Sequence, residues 1–160
     1  MQFTATDEDD TRRLAVALAA AIGPGDVVAL EGDLGAGKTT LTRHLVRALG
    51  VGPEVPITSP TFTLANHYRT GDLEIIHADL YRLGDAAEAA GIGLEEWLAG
   101  DALLVVEWAD RIPGILGDDL LRIRIEHRDE HGREFTLEAT GPASRELLAL
   151  AAEHLEGPPA

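Results

Sequence analysis

The segment most informative about the fold of this chain is Gly32-Asp33-Leu34-Gly35-Ala36-Gly37-Lys38-Thr39. It fits the pattern G-x-x-x-x-G-K-[ST], in which glycines let successive backbone amides converge on a phosphate and the lysine adds a point charge. Lys38 is the only lysine in the sequence, and the other side-chain cations are twelve arginines. The octapeptide therefore predicts a loop that binds the phosphates of a nucleoside triphosphate.

A buried strand and a helix are predicted on either side of this loop. Residues 27–30 form a short continuous apolar run, which is typical of a strand covered on both faces in a parallel sheet. From residue 39 to residue 49 apolar side chains recur at helical spacing, and Gly50 follows as a C-terminal cap. Strand, glycine loop and helix thus follow one another in the order that phosphate binding requires.

The rest of the pattern predicts an α/β protein. A first helix is expected to begin after Thr6 or Asp7 and to end at Gly23-Pro24. Further elements are predicted as strands at residues 61–68, 73–79 and 102–108, two short helical pieces within 84–98, a hairpin of residues 121–125 and 135–137, a helix at 144–155 and a disordered tail at 157–160. The expected fold is a P-loop NTPase-like three-layer sandwich, with a parallel central sheet extended by antiparallel strands and a C-terminal hairpin. A chain of 160 residues without repeats or linkers predicts one such ATPase domain over residues 1–160.

Composition and charge restrict the classes of partner. The formal net charge is −15, so the chain should repel bare nucleic acid, and direct DNA binding is not expected. The sequence contains no cysteine, which excludes disulfides and thiol chemistry. No secretory signal pattern and no apolar run of membrane-spanning length is found. A cytoplasmic protein without membrane contact is therefore expected.

Two carboxylates are candidates for the chemistry of a magnesium–phosphate site. Glu107 ends the apolar run of residues 103–106, and Asp79 ends the predicted strand at residues 73–79. Parallel strands place their ligands at their carboxyl ends, where one acid can ligate Mg²⁺ together with Thr39 while the other orients the attacking water. The alternative for each is a strand-end acid that caps a following helix.

Several other features leave alternatives open. The segment Ser59-Pro60-Thr61-Phe62 precedes a strand, where it can sense a phosphate or form an ordinary turn. Trp108 can pack near a nucleotide or in the core. The six histidines show no metal-ligand spacing and are interpreted as structural or solvated. Arg122, Arg124 and Arg128 form a solvated strand face or hold an acidic partner.

Four blocks of sequence together resemble the TsaE family of small bacterial ATPases. They are GDLGAGKTT at residues 32–40, SPTFTL at 59–64, HADLYRL at 77–83 and LLVVEWADR at 103–111. The second, third and fourth blocks make the resemblance far more specific than the phosphate-binding loop alone. Gly132-Arg133 is similar to a Gly-Arg pair of that family, and Thr11 falls where the family has a threonine near the adenine.

The resemblance implies a set of site residues. It implies that Mg²⁺ is bound by Thr39 and Glu107. It also implies that Asp79 acts as a catalytic or water-positioning acid and that Lys38 is a catalytic residue. Arg133 is implied to contact the nucleotide, and Thr11 to lie near the base. The residues implied to bind ATP in the loop are Leu34, Gly35, Ala36, Gly37, Lys38, Thr39 and Thr40.

Function and partners follow from the same resemblance. TsaE proteins work with TsaD and TsaB in forming threonylcarbamoyladenosine in tRNA, and their ATPase activity is thought to reset that complex. They do not themselves transfer the threonylcarbamoyl group. The acidic composition agrees with tRNA being held only indirectly, through the partners. The alternatives are a small-molecule P-loop kinase, which needs a cation-lined acceptor site, and an ATP-bound module without turnover. A GTPase is disfavoured because the guanine-reading [NT]-K-x-D motif needs a second lysine.

Overall fold

The computed structural model describes residues 1–157, so the predicted tail at 157–160 falls outside the described residues apart from Gly157. The strands are β1 (Gln2–Ala5), β2 (Val27–Glu31), β3 (Ala65–Thr70), β4 (Leu73–Asp79), β5 (Leu103–Glu107), β6 (Leu121–His127) and β7 (Arg133–Ala139). The α-helices are α1 (Glu8–Ala21), α2 (Lys38–Ala48), α3 (Ala86–Gly91), α4 (Leu94–Ala99) and α5 (Pro142–Glu156). No helix within this part of the chain is long and apolar enough to cross a bilayer.

All seven strands belong to one mixed sheet in the order β1-β7-β6-β2-β5-β4-β3. Its centre is parallel, because β2 pairs in parallel with β5 and β6, and β5 pairs in parallel with β4. Its two margins are antiparallel. The apolar runs at residues 27–30 and 103–106 thus lie in the middle of the sheet, as their lack of alternation predicts.

Apolar cores lie on both faces of this sheet, since side chains alternate along each strand. Val28 of β2 packs in the core that contains residues of α1, α2 and α5. Ala29, the next residue, packs in the core that contains residues of α3, α4 and the segment after β5. The predicted α/β class, with a sheet that is parallel at its centre, is confirmed.

The predicted strand at residues 61–68 is partly wrong. Residues 61–64 form a turn closed by the Leu64 amide on the Pro60 carbonyl at 2.7 Å, and β3 begins only at Ala65. Leu64 has a left-handed backbone with φ 68°, which ends any continuous strand at that point. The segment that leads to β3 is therefore a compact turn that stands beside the carboxyl end of β4, where the Asp79 amide donates to the Leu64 carbonyl.

A further strand, which the sequence does not predict, pairs with the hairpin at one edge of the sheet. The hairpin of β6 and β7 is confirmed, and Asp129 closes its turn by accepting hydrogen bonds from the amides of His131 and Gly132. The four residues of β1 then pair antiparallel with β7. So short an edge strand owes its conformation to its partner, because four residues carry too little periodic signal to define a strand alone.

Candidate functional site

The glycine loop joins the carboxyl end of β2 to the start of α2. Gly32, Gly35 and Gly37 all have positive φ angles, of 149°, 78° and 113°, which side chains other than hydrogen strongly disfavour. Gly37 precedes the first turn of α2, where no side chain caps the free amides and no acidic residue is present. The positive end of the helix dipole is therefore available to an anion.

Lys38 folds back over this loop. Its Nζ donates to the carbonyl oxygens of Gly32 at 2.6 Å and Asp33 at 2.9 Å, and lies 4.0 Å from the centre of the Trp108 ring. The residue is only 5% exposed, and this burial lowers the pKa of the amine, against the opposing attraction of Glu107 and other nearby carboxylates. The cation is thus held within the loop by groups that a phosphate oxygen can replace.

Asp79 and Glu107 lie side by side, as their positions at strand ends predict. They are register partners on the parallel strands β4 and β5, and they are 1% and 3% exposed. The Glu107 Oε1 atom accepts a hydrogen bond from the Thr39 hydroxyl at 2.9 Å. Strand pairing therefore brings both acids to one edge of the sheet, and the contact with Thr39 joins that edge to the start of α2.

The environment of Asp79 is different from that of Glu107. Burial raises the pKa of the Asp79 carboxyl, while hydrogen bonds from the Tyr81 amide at 2.8 Å and the Thr61 hydroxyl at 3.0 Å oppose the shift. The Ser59 hydroxyl in turn lies 2.8 Å from that of Thr61. The segment 59–62 thus contacts a candidate catalytic acid through Thr61.

A cavity of ≈ 270 Å³ lies on the other side of the loop. At the wall of this cavity, the Arg133 Nε atom donates a hydrogen bond to the Ala36 carbonyl oxygen at 2.9 Å. Thr11 of α1 is buried at the same wall. The residues that line the cavity are Asp7, Glu8, Thr11, Ala36, Gly37, Thr40, His131, Arg133 and Phe135. Arg133 and Thr11, which the resemblance implies near the nucleotide, therefore share one cavity with the loop, while Leu34 projects from the loop and is 83% exposed.

The oxygens available in the site suit a Mg²⁺ ion whose other ligands are phosphate oxygens and water. Within residues 1–157, no group of three or more His, Asp or Glu side chains is arranged to hold a metal. The neighbouring oxygens of Thr39 and Glu107 form a small donor set, and Mg²⁺ is commonly bound by one or two protein oxygens together with phosphate oxygens and water. This donor set fits a nucleotide-bound magnesium ion.

His77 is a site residue that the sequence reasoning missed. It is completely buried, and its Nε2 atom lies 2.7 Å from Glu107 Oε1, so its interpretation as one of six merely structural or solvated histidines omits a direct contact with a candidate acid. The sequence spacing could have placed His77 at the site. His77 lies two residues before Asp79 on one predicted strand, so both side chains face the same side of the sheet.

Known proteins of one family are similar to this chain over most of its length. The sequence profile described as "Threonylcarbamoyl adenosine biosynthesis protein TsaE" matches residues 5–135. The tRNA threonylcarbamoyladenosine biosynthesis protein TsaE of Bacillus subtilis (strain 168) is 39% identical over 141 residues, which cover 88% of this chain and 87% of the relative. The protein of the same name from Rickettsia felis is 40% identical over 127 residues, which cover 79% of this chain and 73% of that one.

A solved structure shares the whole architecture. The crystal structure of Bacillus subtilis YdiB superposes with a TM-score of 0.80 at 34% sequence identity, and the match covers 96% of this chain and 95% of that chain. A profile match over more than half of the sequence and relatives at this level of identity establish common descent. The chain belongs to the TsaE family of threonylcarbamoyl adenosine biosynthesis proteins.

Proposed function

We propose that this protein is a Mg²⁺-dependent ATPase with the P-loop NTPase sandwich fold, which assists TsaD and TsaB in forming threonylcarbamoyladenosine in tRNA. In this role it binds the TsaD–TsaB complex in a nucleotide-dependent manner and resets it by hydrolysis, in the cytoplasm. The observation that carries the proposal is the pairing of Asp79 with Glu107 at the sheet edge where the Thr39 hydroxyl meets Glu107.

The residues of the loop are suited to hold the triphosphate. The free amides after Gly37 and the ammonium of Lys38 can replace water around the phosphate oxygens, once the ammonium leaves the Gly32 and Asp33 carbonyls. Arg133 and Thr11 line the neighbouring cavity, which would take the nucleoside. Binding is thus local and needs no positive overall charge, in agreement with the net charge of −15.

The acids divide the chemistry between them. Mg²⁺ held by Thr39 and Glu107 would neutralise charge that develops on the phosphate oxygens. Asp79 has a pKa raised by burial, so its carboxylate is a better proton acceptor than a solvated aspartate and is suited to orient and deprotonate an attacking water. The Thr61 hydroxyl donates to Asp79 Oδ2 and couples this acid to the segment 59–62, whose exposed residues Ser59 and Phe62 offer a route by which a partner could change turnover.

The alternative, a small-molecule kinase, needs a cation-lined acceptor site beside the triphosphate. A cavity of ≈ 520 Å³ next to Trp108 is lined by more carboxylates than arginines. Its charged lining residues are Glu31, Asp33, Asp110, Glu126 and Arg124. An anionic acceptor would be repelled there, which favours water as the phosphoryl acceptor.

Phosphate release with and without the TsaD–TsaB complex tests the proposal. We expect release to be stimulated by the complex. Glu107→Gln should lower release by about 100-fold, because the carboxylate charge that holds the metal is lost. Glu130→Gln removes the same charge at an exposed position of the hairpin turn and should leave release unchanged. Lys38→Ala should weaken ATP binding by about 100-fold, as expected for the loss of charge-assisted hydrogen bonds.

Two results would contradict the proposal. One is near-wild-type turnover in Glu107→Gln, and the other is release stimulated by a small acceptor molecule but not by the TsaD–TsaB complex. The second result would favour the kinase. A pull-down of TsaD–TsaB with a non-hydrolysable ATP analogue separately tests whether nucleotide controls assembly.

A further inference from the structure

His77 is buried in a position where an imidazole destabilises the fold unless its nitrogens are hydrogen-bonded. It lies in β4 between the apolar residues Ile76 and Ala78, and its side chain is 0% exposed. Its Nδ1 atom has no hydrogen-bond partner, one of only two such buried side-chain atoms in residues 1–157. Burying a polar atom without a partner destabilises the folded state. The single hydrogen bond of the ring, to Glu107, has to offset this cost.

The contact with Glu107 fixes the role of the Nε2 atom. A carboxylate can only accept, so the proton of the contact lies on His77 Nε2, and the ring donates to Glu107 Oε1. Because Nδ1 has no partner, this is the only hydrogen bond that the ring makes with the described residues.

Both donors reach the same oxygen of Glu107. Oε1 receives the His77 Nε2–H and the Thr39 hydroxyl, whereas no hydrogen bond from the described residues reaches Oε2. Oε2 is not among the fully buried side-chain atoms without a partner, so it retains contact with solvent. The Thr39 hydroxyl still has lone pairs free after it donates to Oε1. One oxygen of Glu107 is thus fixed by the protein, and the other is left for a ligand.

We propose that His77 is the positioning residue of Glu107: its Nε2–H holds Oε1 and thereby presents Oε2 to the divalent cation of the bound nucleotide. This inference rests on the proposed function, because it concerns the metal that accompanies ATP. His77 acts only through Glu107 and has no expected contact with the nucleotide. Outer partners that orient a metal ligand typically contribute about 10- to 100-fold in metal affinity.

Three substitutions separate this role from simple packing. In His77→Gln the side-chain amide nitrogen can reach the position of Nε2, so the donor to Glu107 is kept. In His77→Asn the amide nitrogen corresponds to the position of Nδ1 and falls short of Glu107. His77→Leu fills the strand with an apolar side chain and removes the donor altogether. Gln and Asn therefore form a matched pair that differs in reach.

The readout is the coupling between metal and nucleotide, measured by calorimetry as the affinity for ATP with Mg²⁺ divided by the affinity for ATP with a chelator. We expect His77→Asn and His77→Leu to lower this ratio by about 10-fold, while His77→Gln stays close to wild type. Binding of metal-free ATP should be the same in all four proteins, because Lys38 and the loop amides are untouched. Circular dichroism melting establishes that each variant is folded.

The possible results discriminate between this inference and the function on which it rests. If wild type binds no ATP, the proposed function itself is wrong. If wild type binds ATP with equal affinity with and without Mg²⁺, or if Gln and Asn change the ratio equally, the positioning role is overturned while ATP binding stands. If His77→Leu does not fold, the Gln and Asn pair decides the question by the same criterion.

Discussion

Replacing Gly32 by alanine tests how the glycine loop is seated against the sheet. Gly32 follows β2 and has φ 149°, and a Cβ atom built on it would lie 2.5 Å from the backbone oxygen of Ile125 in β6. The same atom would lie 3.1 Å from Ala36 Cβ. Both neighbours are firmly held, one by the centre of the sheet and the other by the loop itself, so neither can rotate away as a flexible side chain would.

The size of the effect follows from these two contacts. The distance to the Ile125 oxygen must grow by about 0.9 Å to reach ordinary contact at 3.4 Å. Overpacking of this kind costs about 1–3 kcal/mol. The backbone conformation at Gly32 costs any other residue about 1–3 kcal/mol as well. We therefore expect Gly32→Ala to lower the free energy of unfolding by about 2–6 kcal/mol. ATP binding should also weaken, because the displaced loop carries Lys38 and the free amides of α2.

Gly25→Ala is the matched control. Gly25 also has a positive φ angle, of 81°, but a Cβ atom there meets nothing within 4 Å. Its expected cost is the backbone term alone, about 1–2 kcal/mol. Urea denaturation of the nucleotide-free proteins measures both values, and calorimetry measures ATP binding. If Gly32→Ala costs no more stability than Gly25→Ala, the close packing of the loop against β6 is not what fixes its position.

Two further predictions concern charged groups. Lys38 is the only lysine and burial lowers the pKa of its amine, so a lysine-directed acylating reagent should modify the chain at Lys38 and the amino terminus alone. Bound ATP should protect Lys38 but not the amino terminus in mass spectrometry, and equal labelling with and without ATP would contradict the assignment of Lys38 to the phosphate site. Asp119 Oδ1 accepts the Ser144 amide at the start of α5, and hydrogen bonding from Ser144 holds the pKa of Asp119 below its ordinary value of 3.8. Its stabilising contribution should be complete above pH 3.8 and disappear as the pH falls through the lower folded-state pKa. Melting temperatures should therefore show Asp119→Ala less stable than Asp118→Ala at neutral pH, with the difference vanishing in acid; a difference that persists in acid would refute it.

The two candidate acids could be identified from local sequence, and their pairing could be predicted in part. Glu107 and Asp79 each end a segment of buried-strand pattern, and parallel strands bring such ends to one edge. The phosphate-binding pattern supplied the loop residues, Lys38 and Thr39 among them, and the resemblance supplied Arg133 and Thr11. The hydrogen bond between Arg133 and Ala36 joins residues 97 positions apart, and no local pattern encodes such a contact.

The errors have a common physical origin. Residues 61–64 have a composition suited to a strand, but the chain turns there because Leu64 adopts a left-handed conformation between Pro60 and β4. The strand β1 exists because β7 offers an open edge to it. His77 was assigned with the other histidines because its burial, and the carboxylate that it faces, depend on the adjacent strand β5.

Elements with a local pattern could be predicted without a structure. They are the glycine loop with its flanking strand and helix, the buried central strands, the hairpin and the positions of two acids at strand ends. Periodicity and backbone preference act over a few residues, so they can be recognised without a partner. The folded arrangement was needed to show which oxygen of Glu107 accepts hydrogen bonds, what His77 contacts, and which segments lie beside the site. Those outcomes depend on strand register and packing between distant residues, where a contact is stabilised by its surroundings and not by the residues that precede it in the chain.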